Sequence, residues 1–269
     1  MSGEAFQKVP EGRGPPYPAA RGARSTGVTI SNAMSDARLF GSCFNEPSWS
    51  TWRAVLKAAC SEALTAEELE LFHQVAGGRS PPAEPVRELY GIISRRGGKS
   101  RVGGLLAVYL AACVKHKLAP GERGFVLIVA PTLAQAELVF GYAKGFVEAS
   151  PVLSRECEVT RDELRFKNSV AITTASSLPE NLRGRTLCGA VIDEVSYLRD
   201  AGAVSDVEIY RALVPALATT KGILVGISTP RRRSGLLFQK HKRCFGVDDQ
   251  NVLVVQGSSK QFNRCWIRL

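Results

Sequence analysis

Six short apolar runs constrain this chain more than any other feature: 88–94 (ELYGIIS), 124–130 (GFVLIVA), 169–174 (SVAITT), 188–193 (CGAVID), 222–228 (GILVGIS) and 251–256 (NVLVVQ). Each is rich in β-branched residues and nearly continuous rather than alternating, as strands covered on both faces require. Between them lie stretches of helical character at 99–117, 133–148, 205–218 and 235–244. Strand, helix, strand in repetition predicts an α/β fold with a mainly parallel sheet flanked by helices. One segment departs from the rule. In 157–167 (CEVTRDELRFK), alternation on either side of Arg161 and Asp162 predicts a small hairpin ahead of the next core strand.

Upstream, Trp52, Val55, Leu56 and Ala59, then Leu64, Leu69, Leu71, Phe72 and Val75, recur at helical spacing, and Thr65 with Glu68 forms a capping box. A helical lead-in over 49–76 is expected. Gly77, Gly78, Pro81, Pro82 and Pro85 then mark a loop. Residues 1–45, rich in Gly, Pro, Ala, Ser and Arg without apolar period, read as a flexible leader. The expected division is leader 1–45, α/β domain 46–257 and tail 258–269.

The chain has 269 residues, 45% hydrophobic and 22% charged, which is enough to bury a core without disulfides or metals. No apolar stretch approaches the length needed to span a bilayer, and the N-terminal residues lack a signal-peptide core, so a soluble intracellular protein without a membrane partner is expected. Seven cysteines without a CxxC pair signal neither a disulfide framework nor zinc, and read as reduced thiols. His73, His116 and His241 show no metal-ligand spacing. The net charge is +10, and nine basic residues against Asp248 and Asp249 place +7 of it after residue 230. That imbalance points to a polyanionic partner such as nucleic acid, with a solvated basic face as the alternative.

Directly after the first run come Ser94, Arg95, Arg96, Gly97, Gly98, Lys99 and Ser100, and then a helix. Glycines let backbone N–H groups turn toward phosphate oxygens, a lysine places its ammonium between the β- and γ-phosphates, and a hydroxyl at the helix start suits Mg²⁺. The common GxxxxGK[ST] pattern has glycine where this chain has Ile93. A basic turn capping a helix therefore stays open as the other reading of the loop alone. Downstream, 190–194 (AVIDE) is an apolar strand ending in Asp193 and Glu194. A first acid there holds Mg²⁺ and a second polarises the attacking water, whereas the bland reading is a helix N-cap with a first-turn acid. Ser228, Thr229 and Pro230 end a third strand at the same carboxyl edge, either sensing a phosphate or forming a plain turn.

With AGGRSPP, PVRELYGIISRRGGKSR, the Ala130-Pro131-Thr132 strand end, SLPENLRGRTLCGAVIDEVSYL and GILVGISTPRRRSGLLF, the chain over about 45–257 resembles the ATPase domain of the large terminase subunit of tailed bacteriophages. The resemblance implies a P-loop NTPase of the additional-strand, catalytic-glutamate class, an ATP-hydrolysing motor driving double-stranded DNA into a procapsid. In that family the phosphate loop bears an arginine and need not carry the first glycine. Carried over, Lys99 and Ser100 bind phosphates and Mg²⁺, with Ser94, Arg95, Arg96, Gly97, Gly98 and Arg101 completing the ATP-binding loop. Asp193 completes the magnesium site, Glu194 is the catalytic carboxylate, Arg95 stabilises charge in cis, and Ser228 and Thr229 couple hydrolysis to movement. Arg79 falls where the family contacts adenine. Arg183, Arg185 and Arg155 are candidates for an arginine acting on a neighbouring subunit's nucleotide, with Arg161 and Arg165 as rivals and surface solubilisation as the alternative for each.

The implied partners are double-stranded DNA held through its phosphates, the portal protein, the small terminase subunit and further copies of the chain in a ring, in the cytoplasm of a bacterial host. Large terminases continue into a ribonuclease H-like nuclease domain, for which 269 residues leave no space. No nuclease activity is expected, and a shortened, split or degraded prophage form is implied. The competing readings are another P-loop nucleic-acid translocase and a non-hydrolysing DNA-binding or assembly module.

Overall fold

The computed structural model describes residues 27–176, 184–200 and 205–263. The strands are β1 (Glu88–Ile93), β2 (Gly124–Ala130), β3 (Cys157–Val159), β4 (Glu163–Phe166), β5 (Val170–Ser176), β6 (Thr186–Asp193), β7 (Ile223–Ser228) and β8 (Val252–Gly257). They form one eight-stranded sheet in the order β3-β4-β5-β2-β6-β7-β1-β8. The six strands from β5 to β8 in that order pair in parallel, while β4 runs antiparallel to both β3 and β5. All six expected runs are strands, and the expected hairpin is β3–β4. The apolar runs are continuous because both faces are covered: every residue of β1 and β7 is buried.

The helices are α1 (Ile30–Ser35), α2 (Gly41–Phe44), α3 (Ser50–Ala59), α4 (Ala66–Ala76), α5 (Lys99–Val108), α6 (Leu133–Ala149), α7 (Leu153–Glu156), α8 (Asp206–Ala218), α9 (Leu236–Cys244) and α10 (Ser259–Phe262). Residues from α1 to α6 build the larger core on one face; α8 and α9 cover the other with Ile209, Leu213, Leu236 and Leu237. The Thr65–Glu68 capping box starts α4 as expected, and left-handed Gly77 ends it.

Three expected boundaries are corrected. The leader does not reach residue 45: Ile30, Ala33, Met34, Phe40 and Phe44 are buried core, and Glu62 accepts the Ile30 N–H at 2.7 Å. Short buried turns carry too few apolar positions to show a period. The helix expected over 99–117 stops at Cys113, its last turn widening to a π-helix over Tyr109–Cys113. The tail expected from 258 begins inside the domain, since Phe262 is fully buried and its ring lies 4.8 Å from that of Trp52.

Candidate active site

The carboxyl ends of β1, β6 and β7 are in register, Ile92 opposite Ser228 and Asp193 opposite Ile227. Strand β7 therefore lies between the strand that feeds the glycine loop and the strand that ends in the paired acids. That inserted strand defines the additional-strand class of P-loop NTPase fold, and open α/β sheets bind ligands at this edge.

The loop between β1 and α5 is held from outside by the lead-in. Trp52 donates its indole N–H to the Gly97 carbonyl at 2.8 Å. Gly98 has φ of 79°, and a Cβ there would lie 2.7 Å from the Trp49 ring. Only glycine suits both the left-handed backbone and the close approach. Arg96 is also left-handed, with φ of 67°. Sequence reasoning misses both tryptophans as parts of the site, because helical spacing alone reads them as core.

Lys99 is buried, and its ammonium donates to the carbonyls of Ile93 at 3.0 Å and Ser94 at 3.2 Å. Burial pulls its pKa below the ordinary lysine value, opposed by the charges of Glu194 and Asp193. Ser100 Oγ donates to Asp193 Oδ2 at 2.8 Å across 93 positions of sequence. Burial raises the Asp193 carboxyl above its ordinary value, against the Ser100 hydrogen bond. A hydroxyl and a carboxylate at this separation fit neighbouring positions on a small octahedral cation, whose adjacent ligands stand roughly 3.0 Å apart at magnesium–oxygen distances of about 2.1 Å. The donor set thus suits Mg²⁺. Among the described residues no group of three or more His, Cys, Asp or Glu side chains is gathered elsewhere as a rival metal site.

Glu194 sits with φ of 52°, a left-handed backbone for a non-glycine residue. This turn aims its carboxylate at β7. Oε2 accepts from Ser228 Oγ at 3.0 Å and from the Thr229 N–H at 3.5 Å. Ser196 reinforces the crossing, its N–H donating to Ser228 Oγ and its hydroxyl to the Thr229 carbonyl. Tyr197, which sequence reasoning does not single out, lies beside it, and Arg231 stacks on its ring at 4.2 Å. Thr229 first, and then Arg95, hold its phenol below the usual pKa against desolvation.

A cavity of about 370 Å³ opens between these groups, lined by Trp49, Arg95, Arg96, Gly98, Lys99, Ser100, Arg101, Tyr142, Glu194 and Asn263. Arg101 also stacks on Phe44 and Trp49 at 5.3 and 5.2 Å, tying α5 to the lead-in. Tyr142 and Asn263 carry no signal in the sequence pattern that marks them for this cavity.

Arg79 is not at this site, which corrects the expectation of an adenine contact. Its buried guanidinium donates to the carbonyls of Ser80, Asp249 and Val252, strapping the 77–85 loop to the strand β8 approach. Three of its five N–H donors are taken by these carbonyls, and burial leaves the guanidinium turned to the loop it straps. Arg155, Arg161 and Arg165 lie around the hairpin; β4 stands five strand spacings from β1, roughly 24 Å. Arg185 opens β6 at the amino edge, its guanidinium 5.2 Å from the Phe125 ring. None of these four is placed to meet this chain's own glycine loop, and Arg183 lies outside the described residues.

No family model matches the sequence, and no curated protein matches it. Solved structures are similar in fold. The large terminase ATPase domain of Thermus phage P74-26 superposes with a TM-score of 0.52 at 20% identity, covering 74% of this chain and 87% of that one. The large terminase of a thermophilic bacteriophage, solved in complex with ADP, gives 0.51 at 15% identity over 78% of this chain and 46% of that one. The HK97 bacteriophage large terminase gives 0.50 at 22% identity over 64% and 35%. The chain therefore has the fold of terminase ATPase domains.

Proposed function

We propose that this chain is the ATP-hydrolysing motor domain of a terminase-type DNA-packaging machine, moving double-stranded DNA into a procapsid in the cytoplasm of a bacterial host. The observation that carries the reading is the convergence of Lys99, Ser100, Asp193, Glu194 and Ser228 on one sheet edge, from three strands far apart in sequence, within a terminase-type fold. The ADP held by the thermophilic phage relative supports a nucleotide as ligand.

Lys99 exchanges its two backbone carbonyls for phosphate oxygens, to which a buried ammonium is the better partner. Ser100 and Asp193 would hold the magnesium ion, which when bound neutralises charge on the phosphates. Glu194 Oε2 leaves Ser228 and the Thr229 N–H to accept a proton of the attacking water and align it with the γ-phosphate. Because the same oxygen holds β7, a change at the carboxylate is felt by Ser228 and Thr229 and by the basic segment after them. Arg95 spreads charge in cis from the loop. Portal, small subunit and ring neighbours complete the machine, and an arginine from the 155–185 region serves the adjacent subunit.

The test is steady-state ATP hydrolysis at high protein concentration, with and without double-stranded DNA, alongside nucleotide binding. Glu194→Gln is expected to lose about three orders of magnitude in rate while still binding nucleotide, and Lys99→Ala to lose both. A wild-type chain that binds no nucleotide would instead establish the non-hydrolysing module. Hydrolysis indifferent to DNA would point away from a DNA motor.

A further inference from the structure

Lys99, Ser100 and Glu194 account for a phosphate chain in the cavity of about 370 Å³, but not for the nucleoside that such a chain carries. Two aromatic residues, Trp49 and Tyr142, line the same hollow. Trp49 is only 4% exposed, its ring closed in by Gly98, by Phe44 and by the Arg101 guanidinium. Tyr142 is 44% exposed. Its ring lies nearly parallel to that of Phe146 at 6.4 Å, and Phe146 in turn meets Phe44 edge to face at 5.2 Å. The phenol is thus backed by the aromatic core of the lead-in and still offers surface to a ligand. A ring already held in place loses little freedom when something stacks on it. Glycine sets its position. Gly104 lies one turn after Ser100 on the same face of α5, and a Cβ there would stand 2.8 Å from the Tyr142 Cβ. The missing side chain lets α6 press against α5, which holds Tyr142 a single turn along from the residues that take the phosphates.

We propose that Tyr142 is the stacking platform for the base of the bound nucleotide. The proposal rests on the ATP-hydrolysing reading above and deepens it by giving the nucleoside a place. At the start of a helix, successive backbone N–H groups face outward toward an anion, and α5 begins at Lys99. With the γ-phosphate directed to Glu194, the opposite end of the chain leaves along this first turn, and the base needs a flat apolar surface there. Among the described lining residues Tyr142 is the aromatic ring with surface to give. Stacking engages the π-face that every base has, so the platform supplies affinity and leaves the choice between bases to other groups. Arg79, buried against its own loop, takes no part.

Calorimetric binding of non-hydrolysable ATP and GTP analogues and of inorganic tripolyphosphate to the full chain, each with magnesium, tests the platform. Tyr142→Ala is expected to weaken both nucleotides about tenfold, as the loss of one aromatic–base stack does, and to leave tripolyphosphate within about twofold. Tyr142→Phe keeps the ring and should bind all three as the wild type does. Tyr142→Leu keeps apolar bulk without the π-face, and its nucleotide affinity should fall between those of the Phe and Ala variants. Leu138→Ala, on the same helix, 67% exposed and outside the cavity lining, should change none of the three. An alanine variant that binds nucleotide normally, or that loses tripolyphosphate as much as nucleotide, overturns the platform. Should that variant melt early, the Phe and Leu variants carry the test, and equal nucleotide affinity of the two overturns it. A wild-type chain that binds neither nucleotide nor tripolyphosphate sinks the ATPase reading itself, whereas wild-type binding of both with Tyr142→Ala unaltered leaves that reading standing and puts the base elsewhere.

Discussion

The half of the sheet around β1 and the hairpin half at β3–β4 use charge in opposite ways. Around β1, Glu88, Lys99, Asp193, Ser228 and Thr229 are all buried, and each is engaged by a partner from another element or from the loop backbone. Around the hairpin, Arg165 meets Glu163 at 2.8 Å and Lys167 meets Glu156 at 3.3 Å, with the basic side chains 47% and 67% exposed. The pairs look alike on paper, but solvent screens the second set and not the first. Buried polar geometry here specifies where groups stand; exposed pairs mostly keep the edge soluble.

The sharpest way to break this comparison is at Glu88, which is fully buried and held by Lys240, Tyr90 and Tyr210. Lys240→Met strands that carboxylate and is expected to cost about 3 kcal/mol, lowering Tm by roughly 10 °C, whereas adding Glu88→Gln should restore much of the loss. A thermal melt that barely moves would show that the buried half tolerates unpaired charge. Gly98→Ala comes next. With a left-handed backbone and the Trp49 ring 2.7 Å from the new Cβ, it should cost about 2 kcal/mol. Gly78→Ala, equally left-handed at φ of 77° but in open space, should cost only about 1 kcal/mol. Equal losses at the two glycines in denaturant titrations would remove the Trp49 contact from the account. The smallest effect belongs to the hairpin: Arg165→Ala should shift Tm by less than about 2 °C. The Arg165 hydrogen bond holds Glu163 below the usual carboxylate range, so what stability the pair gives is present at neutral pH and lost as pH falls through that lowered value. A larger shift at neutral pH would mean that the hairpin is part of the structural core.

The parallel sheet was legible because continuous β-branched runs leave few alternatives, and the cap at Thr65 announced its helix. The convergence of Lys99, Ser100, Asp193, Glu194 and Ser228 was legible for a related reason: each lies at the end of a strand or at the start of the helix that follows one, so order along the chain implied convergence in space. What escaped were contacts made at long range by residues of ordinary type. Nothing in the spacing tells Trp52, which holds the loop through Gly97, from any core aromatic. Nothing in the spacing marks Tyr197, which follows the left-handed turn at Glu194 and meets Arg231 there. Arg79 went the other way: the family resemblance implied an adenine contact, while the buried side chain donates to three carbonyls.

The strand order also sets a timetable for folding. Strand β1 has no neighbour among the strands closest to it in sequence; its partners are β7 and β8, with Glu88 opposite Leu224 and Val252. Loops this long must close before the pairing is rewarded, which slows folding and leaves the strand's edges bare meanwhile. On a ribosome, the glycine loop would emerge early, yet its supporting strand could not be flanked on both sides until residue 257 had been made. The glycine loop therefore reaches its supported geometry late in the life of the chain, and an unfinished copy would carry it on a strand flanked on one side at most.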